Sequence, residues 1–246
     1  MSTKAAVYAG SRNLYPDMVT ACKSLVANSA VNDVYMLAED DWLGQDLPDI
    51  VHVIDVSNIG HLMWDRTINY RTKFTYMSLM RVCYPSVLPR TLDKVLQLDV
   101  DTVVVSDIDE LWAVDMGATW WGAVKEHLGS YKPYGANYYN VGVQLCNLKQ
   151  MRLEEVEGRL IDALRKDQME YIDQDAWNKI GAGHVTELDV RFNECFVTGY
   201  TDDPAIVHFA GHRDWQTSSK VARREYIARY AAMDWDEVLE RHALHL

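Results

Sequence analysis

A run of apolar and β-branched residues that carries two acids constrains this chain more than any other segment. Residues 93–105 have the sequence Asp-Lys-Val-Leu-Gln-Leu-Asp-Val-Asp-Thr-Val-Val-Val, which predicts one strand buried on both faces. Asp99 and Asp101 lie two residues apart, so on an extended strand both side chains leave the same face. Ionised carboxylates are costly to bury alone, and paired hard oxygen ligands suit Mg²⁺ or Mn²⁺. The segment therefore predicts a cation site.

Strand-like and helix-like patterns alternate along the rest of the chain. Short apolar runs predict strands at 5–9, 34–37, 50–56, 140–146 and 205–209. Helical spacing is found at 18–26, at 74–82, and on one face that carries Leu153, Val156, Leu160 and Leu164. The alternation predicts an α/β fold with a mixed, mainly parallel central sheet. Because no linker or repeat divides the sequence, we expect a single domain over 1–246, with 216–246 as a C-terminal helical tail.

Charge and composition exclude several classes of protein. The 24 Lys and Arg against 36 Asp and Glu give a net charge of -12, which repels phosphate backbones, so we expect no nucleic-acid partner. No apolar run has the length of a membrane span, and residues 1–4 lack the pattern of a signal peptide, so we expect a cytoplasmic protein. The 4 cysteines are far apart and predict buried free thiols.

Two other kinds of site share part of the acidic pattern. An EF-hand loop that begins at Asp99 would need an oxygen ligand and a glycine where Val103 and Val104 stand, which argues against calcium. A phosphatase of the haloacid dehalogenase type would use Asp99, Asp101 and Thr102 as its nucleophile motif. That motif usually lies near the N-terminus, so this alternative explains little else of the chain, but it stays open.

Five ordered blocks carry a stronger resemblance. The Asp-Val-Asp segment lies in a longer block at 94–112, and the others are Tyr-Tyr-Asn-Val-Gly-Val-Gln-Leu-Cys-Asn-Leu at 138–148, Asp-Gln-Asp at 173–175, Arg-Phe-Asn at 191–193 and Val-His-Phe-Ala-Gly at 207–211. In sequence and order they resemble glycosyltransferase family 8, the group that includes glycogenin and bacterial lipopolysaccharide galactosyl- and glucosyltransferases. The resemblance extends over roughly residues 5–215.

The resemblance implies a fold, a reaction and a metal site. The fold would be GT-A, a Rossmann-like nucleotide-diphospho-sugar transferase domain. The reaction would move glucose or galactose from a UDP-sugar, with retention of configuration, to a carbohydrate, glycolipid or glycoprotein acceptor. Asp99, Asp101 and a ring nitrogen of His208 would bind Mn²⁺ or Mg²⁺, which would stabilise the leaving diphosphate.

The same resemblance assigns roles around the donor. Asp173 and Gln174 correspond to the pair nearest the anomeric carbon, and Glu126 to an acidic position that contacts the sugar. Double displacement needs a nucleophile from that pair and a front-face reaction needs none, so both remain open. The predicted donor-binding residues are Tyr8, Ala9, Ser11, Asn13, Arg81, Val100, Asn140, Gly142, Gly211 and Arg213.

Within that set, the Asn140 amide could satisfy a sugar hydroxyl and Gly142 could allow the sugar to approach closely.

The chain departs from the family pattern at three positions. Ser11 replaces an Asp that can accept from uracil, and Ser78 replaces an Arg for which Arg81 is the predicted substitute. Arg213 is the predicted substitute for a Lys that reaches the diphosphate. Ser11 and Ser78 leave open a non-catalytic relative that binds a nucleotide sugar or a glycan.

The C-terminal tail combines a basic face with aromatic residues. Lys220, Arg223 and Arg224 share a helical face, followed by Tyr226, Tyr230 and Trp235. Such a helix could contact anionic lipid if the acceptor is lipid-linked, and a helix that packs on the core is the alternative. Oligomeric state is not predicted.

Overall fold

The structure is a computed structural model that describes residues 3–41, 43, 46–59, 69, 76–127, 137–211 and 224–246. The strands within these ranges are β1 Ala5–Ala9, β2 Asp33–Ala38, β3 Val51–Asp55, β4 Val95–Leu98, β5 Thr102–Val104, β6 Trp121–Lys125, β7 Tyr139–Cys146, β8 Val185–Glu187 and β9 Ile206–His208. The helices are α1 Tyr15–Ala27, α2 Tyr76–Met80, α3 Tyr84–Val87, α4 Asp109–Ala113, α5 Leu148–Leu153, α6 Val156–Lys166, α7 Ile172–Ile180, α8 Arg224–Ala232 and α9 Trp235–His242.

Seven strands form the central sheet in the order β3-β2-β1-β4-β7-β6-β8. The pairs β1–β2, β1–β4, β2–β3 and β6–β8 are parallel, whereas β7 runs antiparallel to both β4 and β6. This confirms the predicted α/β class with a mixed, mainly parallel sheet. One hydrophobic cluster lies between the sheet and α1, α8 and α9, and a second lies under α2, α3 and α5–α7. The sheet is therefore covered on both faces, as parallel strands require.

The segment that carries the two acids is not one strand, so that prediction was wrong. β4 ends at Leu98, and β5 begins at Thr102 in a separate two-stranded sheet with β9. The backbone N–H and the side-chain hydroxyl of Thr102 both donate to the Asp99 carbonyl, at 3.2 and 2.7 Å, which closes a turn. The acids are thus brought together by a turn rather than by strand alternation. Antiparallel pairing of β5 with β9 then places Thr102 opposite His208.

Two predicted helices also differ from the structure. The helix with Leu153 on its buried face is two helices, α5 and α6, because Glu155 has a left-handed backbone with φ 52°. Leu153 consequently turns outward and is 69% exposed. The helix predicted at 74–82 shortens to α2 and ends in a turn, while residues 74 and 75 lie outside the described ranges.

The C-terminal helices pack on α1. Tyr230 is buried, and its hydroxyl accepts a 2.7 Å hydrogen bond from Asn28 at the end of α1. Trp235 packs partly buried against the same cluster, so both aromatics contribute to the core. Lys220 and Arg223 of the predicted basic face lie outside the described ranges. None of the described helices is both long enough and apolar enough to cross a membrane, and all four cysteines are buried free thiols, as predicted.

Arg152 fixes the loop that leads into β4. Its guanidinium donates to the carbonyls of Pro85 at 2.9 Å and Leu92 at 2.7 Å, and to those of residues 88–90 at 3.2–3.4 Å. We expect Arg152→Met to lower the free energy of unfolding by about 2 kcal/mol, because these bonds from a charged donor are lost together. Urea unfolding would measure the loss. Arg229→Met, at an exposed site on α8, should change stability by less than about 0.5 kcal/mol, and an equal effect of both changes would contradict the role.

Candidate active site

Two acids and a histidine meet where the turn after β4 faces the end of β9. Nε2 of His208 lies 3.4 Å from Oδ1 of Asp101 and 3.7 Å from Oδ2 of Asp99. One ligand atom from each of the three residues falls within 4.8 Å of the others. Two carboxylate oxygens with one imidazole nitrogen suit Mn²⁺ or a similar divalent ion better than a thiophilic metal. The three predicted ligands thus lie together and fit such an ion.

The charges of this cluster depend on one another. Burial lowers the pKa of His208, but Asp101 opposes burial and holds that pKa well above its usual value. Burial in turn raises the pKa of Asp101, and His208 reverses this so that the carboxyl pKa ends below its usual range. The pKa of Asp99 is raised by burial, in part offset by Arg81. Without a metal, the protonated imidazole therefore supplies the positive charge that the acids require.

Arg81 joins the metal cluster to the predicted catalytic pair. Its guanidinium lies 2.8 Å from Oδ1 of Asp99 and 3.2 Å from Oδ2 of Asp173, and it donates to the Val141 carbonyl at 2.8 Å. Burial lowers the pKa of Arg81, but Asp173 and Asp99 raise it further, so the group stays charged. Arg81, the predicted substitute for the Arg that Ser78 replaces, is thus engaged by two carboxylates within the protein. The structure gives it the role of holding those acids in place.

The Asp-Gln-Asp segment is built on a strained backbone. Ile172, at the first position of α7, has φ 40°, a left-handed conformation that is costly for a β-branched residue. Asp175 secures this turn, because Oδ2 accepts from the backbone N–H of Glu170 at 2.9 Å and of Tyr171 at 3.0 Å. Strain of this kind persists only where the surroundings enforce it. The second acid of the segment therefore positions the first, a role that sequence reasoning missed.

Asn140 lies at the centre of a hydrogen-bonded network that includes the predicted catalytic residues. Its Nδ2 donates to Oε1 of Glu126 at 3.0 Å and to Oε1 of Gln174 at 3.2 Å. Its Oδ1 accepts from the Gly142 N–H and from Nδ2 of Asn193, each at 2.9 Å. Nε2 of Gln174 donates to the same Glu126 oxygen at 3.1 Å. Burial raises the pKa of Glu126, and the hydrogen bonds from Asn140 and Gln174 lower it in part.

Gly142 lies directly against the His208 ring. A Cβ on Gly142 would fall 2.8 Å from Nε2 and closer still to two other ring atoms. The residue was predicted to allow a donor sugar to approach, and the structure supplies a different reason for a missing side chain. The His208 ring occupies the space above this glycine, so the position of this candidate metal ligand depends on Gly142.

The predicted nucleotide loop borders the Asp-Val-Asp turn. A Cβ on Gly10 would be 3.4 Å from Cγ1 of Val100, which sets the two segments side by side. Ser11 is buried, and its hydroxyl donates to Oδ1 of Asn13 at 2.8 Å. Asn13 is exposed, whereas the Tyr8 side chain is fully buried in the core. The structure therefore brings the loop to the site but not the Tyr8 side chain.

Three predicted donor-binding residues remain, and the structure describes two of them. Ala9 is half-buried at the end of β1, and Gly211 follows β9 with φ 77°, a conformation that favours glycine. Arg213 lies outside the described ranges.

Comparison with known proteins was made with both the sequence and the fold. Residues 41–217, more than half of the chain, match the model of the family described as Glycosyl transferase family 8. The chain belongs to glycosyl transferase family 8. This membership, which the sequence motifs predicted, decides against the phosphatase alternative.

Relatives of this family 8 chain include two proteins of Streptococcus pneumoniae serotype 4 (strain ATCC BAA-334 / TIGR4). Glycosyltransferase GlyE is 27% identical over 96% of this chain and 63% of its own length, and glycosyltransferase GlyA is 26% identical over 98% of this chain and 36% of its own. The chain therefore spans about a third of GlyA and less than two-thirds of GlyE.

Solved structures show the same fold. A crystal structure of GlyE superposes with a TM-score of 0.76 at 25% identity, over 98% of this chain and 63% of that one. The galactosyltransferase LgtC, solved in complex with donor and acceptor sugar analogs, superposes with a TM-score of 0.75 at 22% identity, over 96% of this chain and 99% of that one. The family 8 chain has the GT-A fold that its motifs predicted.

Replacing Gly142 should remove the metal ligand without unfolding the protein. In Gly142→Ala the new methyl group would displace the His208 ring, so we expect Mn²⁺ affinity to fall by at least about tenfold. Isothermal titration with Mn²⁺ would measure the change. Gly158→Ala is the matched control, since a Cβ there meets nothing within 4 Å. Full Mn²⁺ affinity in Gly142→Ala would show that the ring does not need this space.

The ionised Asp173 carboxylate should lower the stability of the fold at neutral pH. Burial, opposed by Arg81, raises its pKa to about 6, so the folded protein favours the protonated acid. Relative to the metal-free wild type, Asp173→Asn should stabilise the metal-free protein above pH 6 by about 3 kcal/mol, since a pKa unit is worth 1.36 kcal/mol. The gain should vanish as the pH falls to about 4. Urea unfolding between pH 4 and pH 8 tests this, with Asp236→Asn on α9 as the exposed control, and a pH-independent gain would contradict it.

Proposed function

We propose that the chain is a metal-dependent retaining glycosyltransferase. It takes glucose or galactose from a UDP-sugar, with Mn²⁺ or Mg²⁺ bound by Asp99, Asp101 and His208, and transfers it to a carbohydrate, glycolipid or glycoprotein acceptor. The observation that carries the proposal is the short distance from Nε2 of His208 to both carboxylates, 3.4 and 3.7 Å, next to a cluster of predicted sugar-contacting residues. Membership of family 8 supports the general reaction.

Each part of the site has a chemical task in this proposal. A divalent ion, when bound, supplies positive charge to the departing diphosphate. Arg81 neutralises Asp99 and Asp173, which would otherwise repel each other close to a negatively charged donor. Glu126 accepts from Gln174 and Asn140 through Oε1, and among the described residues Oε2 has no hydrogen-bond partner. That oxygen can therefore accept a sugar hydroxyl.

The contacts of Gln174 argue against this side chain as the nucleophile of a double displacement. Oε1 of Gln174 already accepts from the Val141 N–H and from Nδ2 of Asn140, both at 3.2 Å. Attack by this oxygen on the sugar would break both hydrogen bonds, at about 1 kcal/mol each or more. A reaction in which the acceptor attacks on the side from which the diphosphate leaves requires no such rearrangement. Gln174 then orients the sugar.

Donor hydrolysis and binding test the proposal directly. With Mn²⁺, we expect UDP to raise the melting temperature, and UDP-glucose or UDP-galactose to be turned over slowly to UDP. Asp101→Ala should abolish metal-dependent UDP binding because it removes one of the three ligands. The readouts are the melting temperature and coupled UDP release over a panel of nucleotide sugars. NMR of the product's anomeric proton would establish whether configuration is retained.

A matched variant distinguishes the loss of a metal ligand from the loss of a negative charge elsewhere in the protein. Asp236→Ala removes an exposed carboxylate on α9 and should leave both UDP binding and turnover unchanged. Metal-dependent UDP binding that survives in Asp101→Ala would overturn the metal site. UDP binding without turnover of any nucleotide sugar would show instead a non-catalytic relative, and an inverted product would overturn the retaining reaction.

A further inference from the structure

The orientations of the buried amides near the site are fixed by the backbone. A backbone N–H can only donate, so the Asn140 atom that meets the Gly142 N–H must be oxygen. By the same argument the Val141 N–H fixes the carbonyl oxygen of Gln174. All four hydrogen bonds that the Asn140 amide can make are then formed within the protein. This side chain has no capacity left for a sugar hydroxyl.

The fixed orientation of Asn140 passes through Asn193 to the histidine. Asn193 is fully buried and meets Oδ1 of Asn140 at 2.9 Å, so it must present its NH₂ group there. The other end of its amide, Oδ1, then lies 2.9 Å from Nδ1 of His208. An oxygen at that position accepts a hydrogen bond only if Nδ1 carries the proton. The donor and the acceptor of each hydrogen bond are thus fixed along the path from the Gly142 N–H through Asn140 and Asn193 to the imidazole.

Without this arrangement the neutral ring would prefer the wrong tautomer. Two carboxylates face Nε2, and a proton on Nε2 would donate to them. A ring in that form offers no lone pair to a cation at Nε2. An acceptor at Nδ1 counters this preference, because it is satisfied only by the tautomer whose Nε2 is bare.

We propose that Asn140 and Asn193 form a directional amide relay that keeps a proton on Nδ1 of His208 and leaves Nε2 to bind the cation. Asn193 is a positioning residue, which acts on the metal through His208. The relay gives a reason for the Asn of the Arg-Phe-Asn block, whose function the sequence did not assign. The inference rests on the metal site of the proposed function, and the two can fail separately: metal binding that survives in Asp101→Ala would overturn the site, whereas wild-type metal affinity in Asn193→Leu would overturn only the relay.

Long-range ¹H–¹⁵N NMR distinguishes a protonated ring nitrogen from a bare one and so reads the tautomer. In the wild type loaded with Mg²⁺, which is diamagnetic, we expect the proton on Nδ1 and a bare Nε2 toward the ion. Asn193→Leu, of similar volume, leaves that proton without an acceptor and should weaken Mg²⁺ and Mn²⁺ binding by about 10- to 100-fold. Asn193→Asp keeps an acceptor at Nδ1 and should retain most of the affinity, while its second oxygen faces Oδ1 of Asn140 and should lower the melting temperature.

Two further variants show whether the effect belongs to Asn193. Asn69 is an equally buried amide that donates to the carbonyls of Leu164 and Asp167, so Asn69→Leu should lower the melting temperature and leave the His208 spectrum unchanged. The Cys195 thiol also contacts the ring. A loss of metal affinity in Cys195→Ala with none in Asn193→Leu would overturn the relay. A proton on Nε2 in the Mg²⁺-loaded wild type would overturn it as well.

Discussion

The site depends on concentrating charge where little water is available. Asp99, Asp101 and Asp173 are held near one another, and Arg81 and His208 supply the compensating charge. Removing either cation would leave the buried Asp173 or the partly buried Asp99 and Asp101 unpaired, at a cost of up to several kcal/mol. In the proposed reaction a divalent ion would take the place of the proton on Nε2 of His208, while Arg81 would keep Asp99 and Asp173 in place. Most other features of the site serve to hold these five side chains.

The two-stranded sheet explains how distant segments reach this cluster. β5 and β9 pair through Thr102–His208, Val103–Val207 and Val104–Ile206, so the histidine arrives beside the acids by backbone hydrogen bonding. Hydrophobic patterning predicted β1, β2, β7 and α1 well, because burial on both faces of a strand leaves a strong signal. It did not predict β6 or the half-buried edge strand β8. It could not reveal the turn at Asp99, since Thr102 closes that turn with its own hydroxyl and is also a good strand former.

The sequence and the structure are informative about different parts of the site. Residue type and spacing predicted that Asp99 and Asp101 act together, and the resemblance to family 8 added His208. The sequence did not predict that Arg81 would bind two acids, that Gly142 would make room for the histidine, or that Asp175 would enforce the strained Ile172. Those roles depend on packing between segments that are far apart in the chain, which a local sequence pattern cannot indicate.

The saturation of Asn140 changes which groups can recognise the donor. To bind a sugar hydroxyl, this amide would have to release a partner, and an unsatisfied buried group costs about 1–3 kcal/mol. The Asn140 amide contributes more to the site by keeping its hydrogen bonds, since one of them holds Glu126 in place and another holds Asn193. In the proposed reaction, recognition of the sugar would then fall to groups with hydrogen-bonding capacity to spare, among them the second oxygen of Glu126.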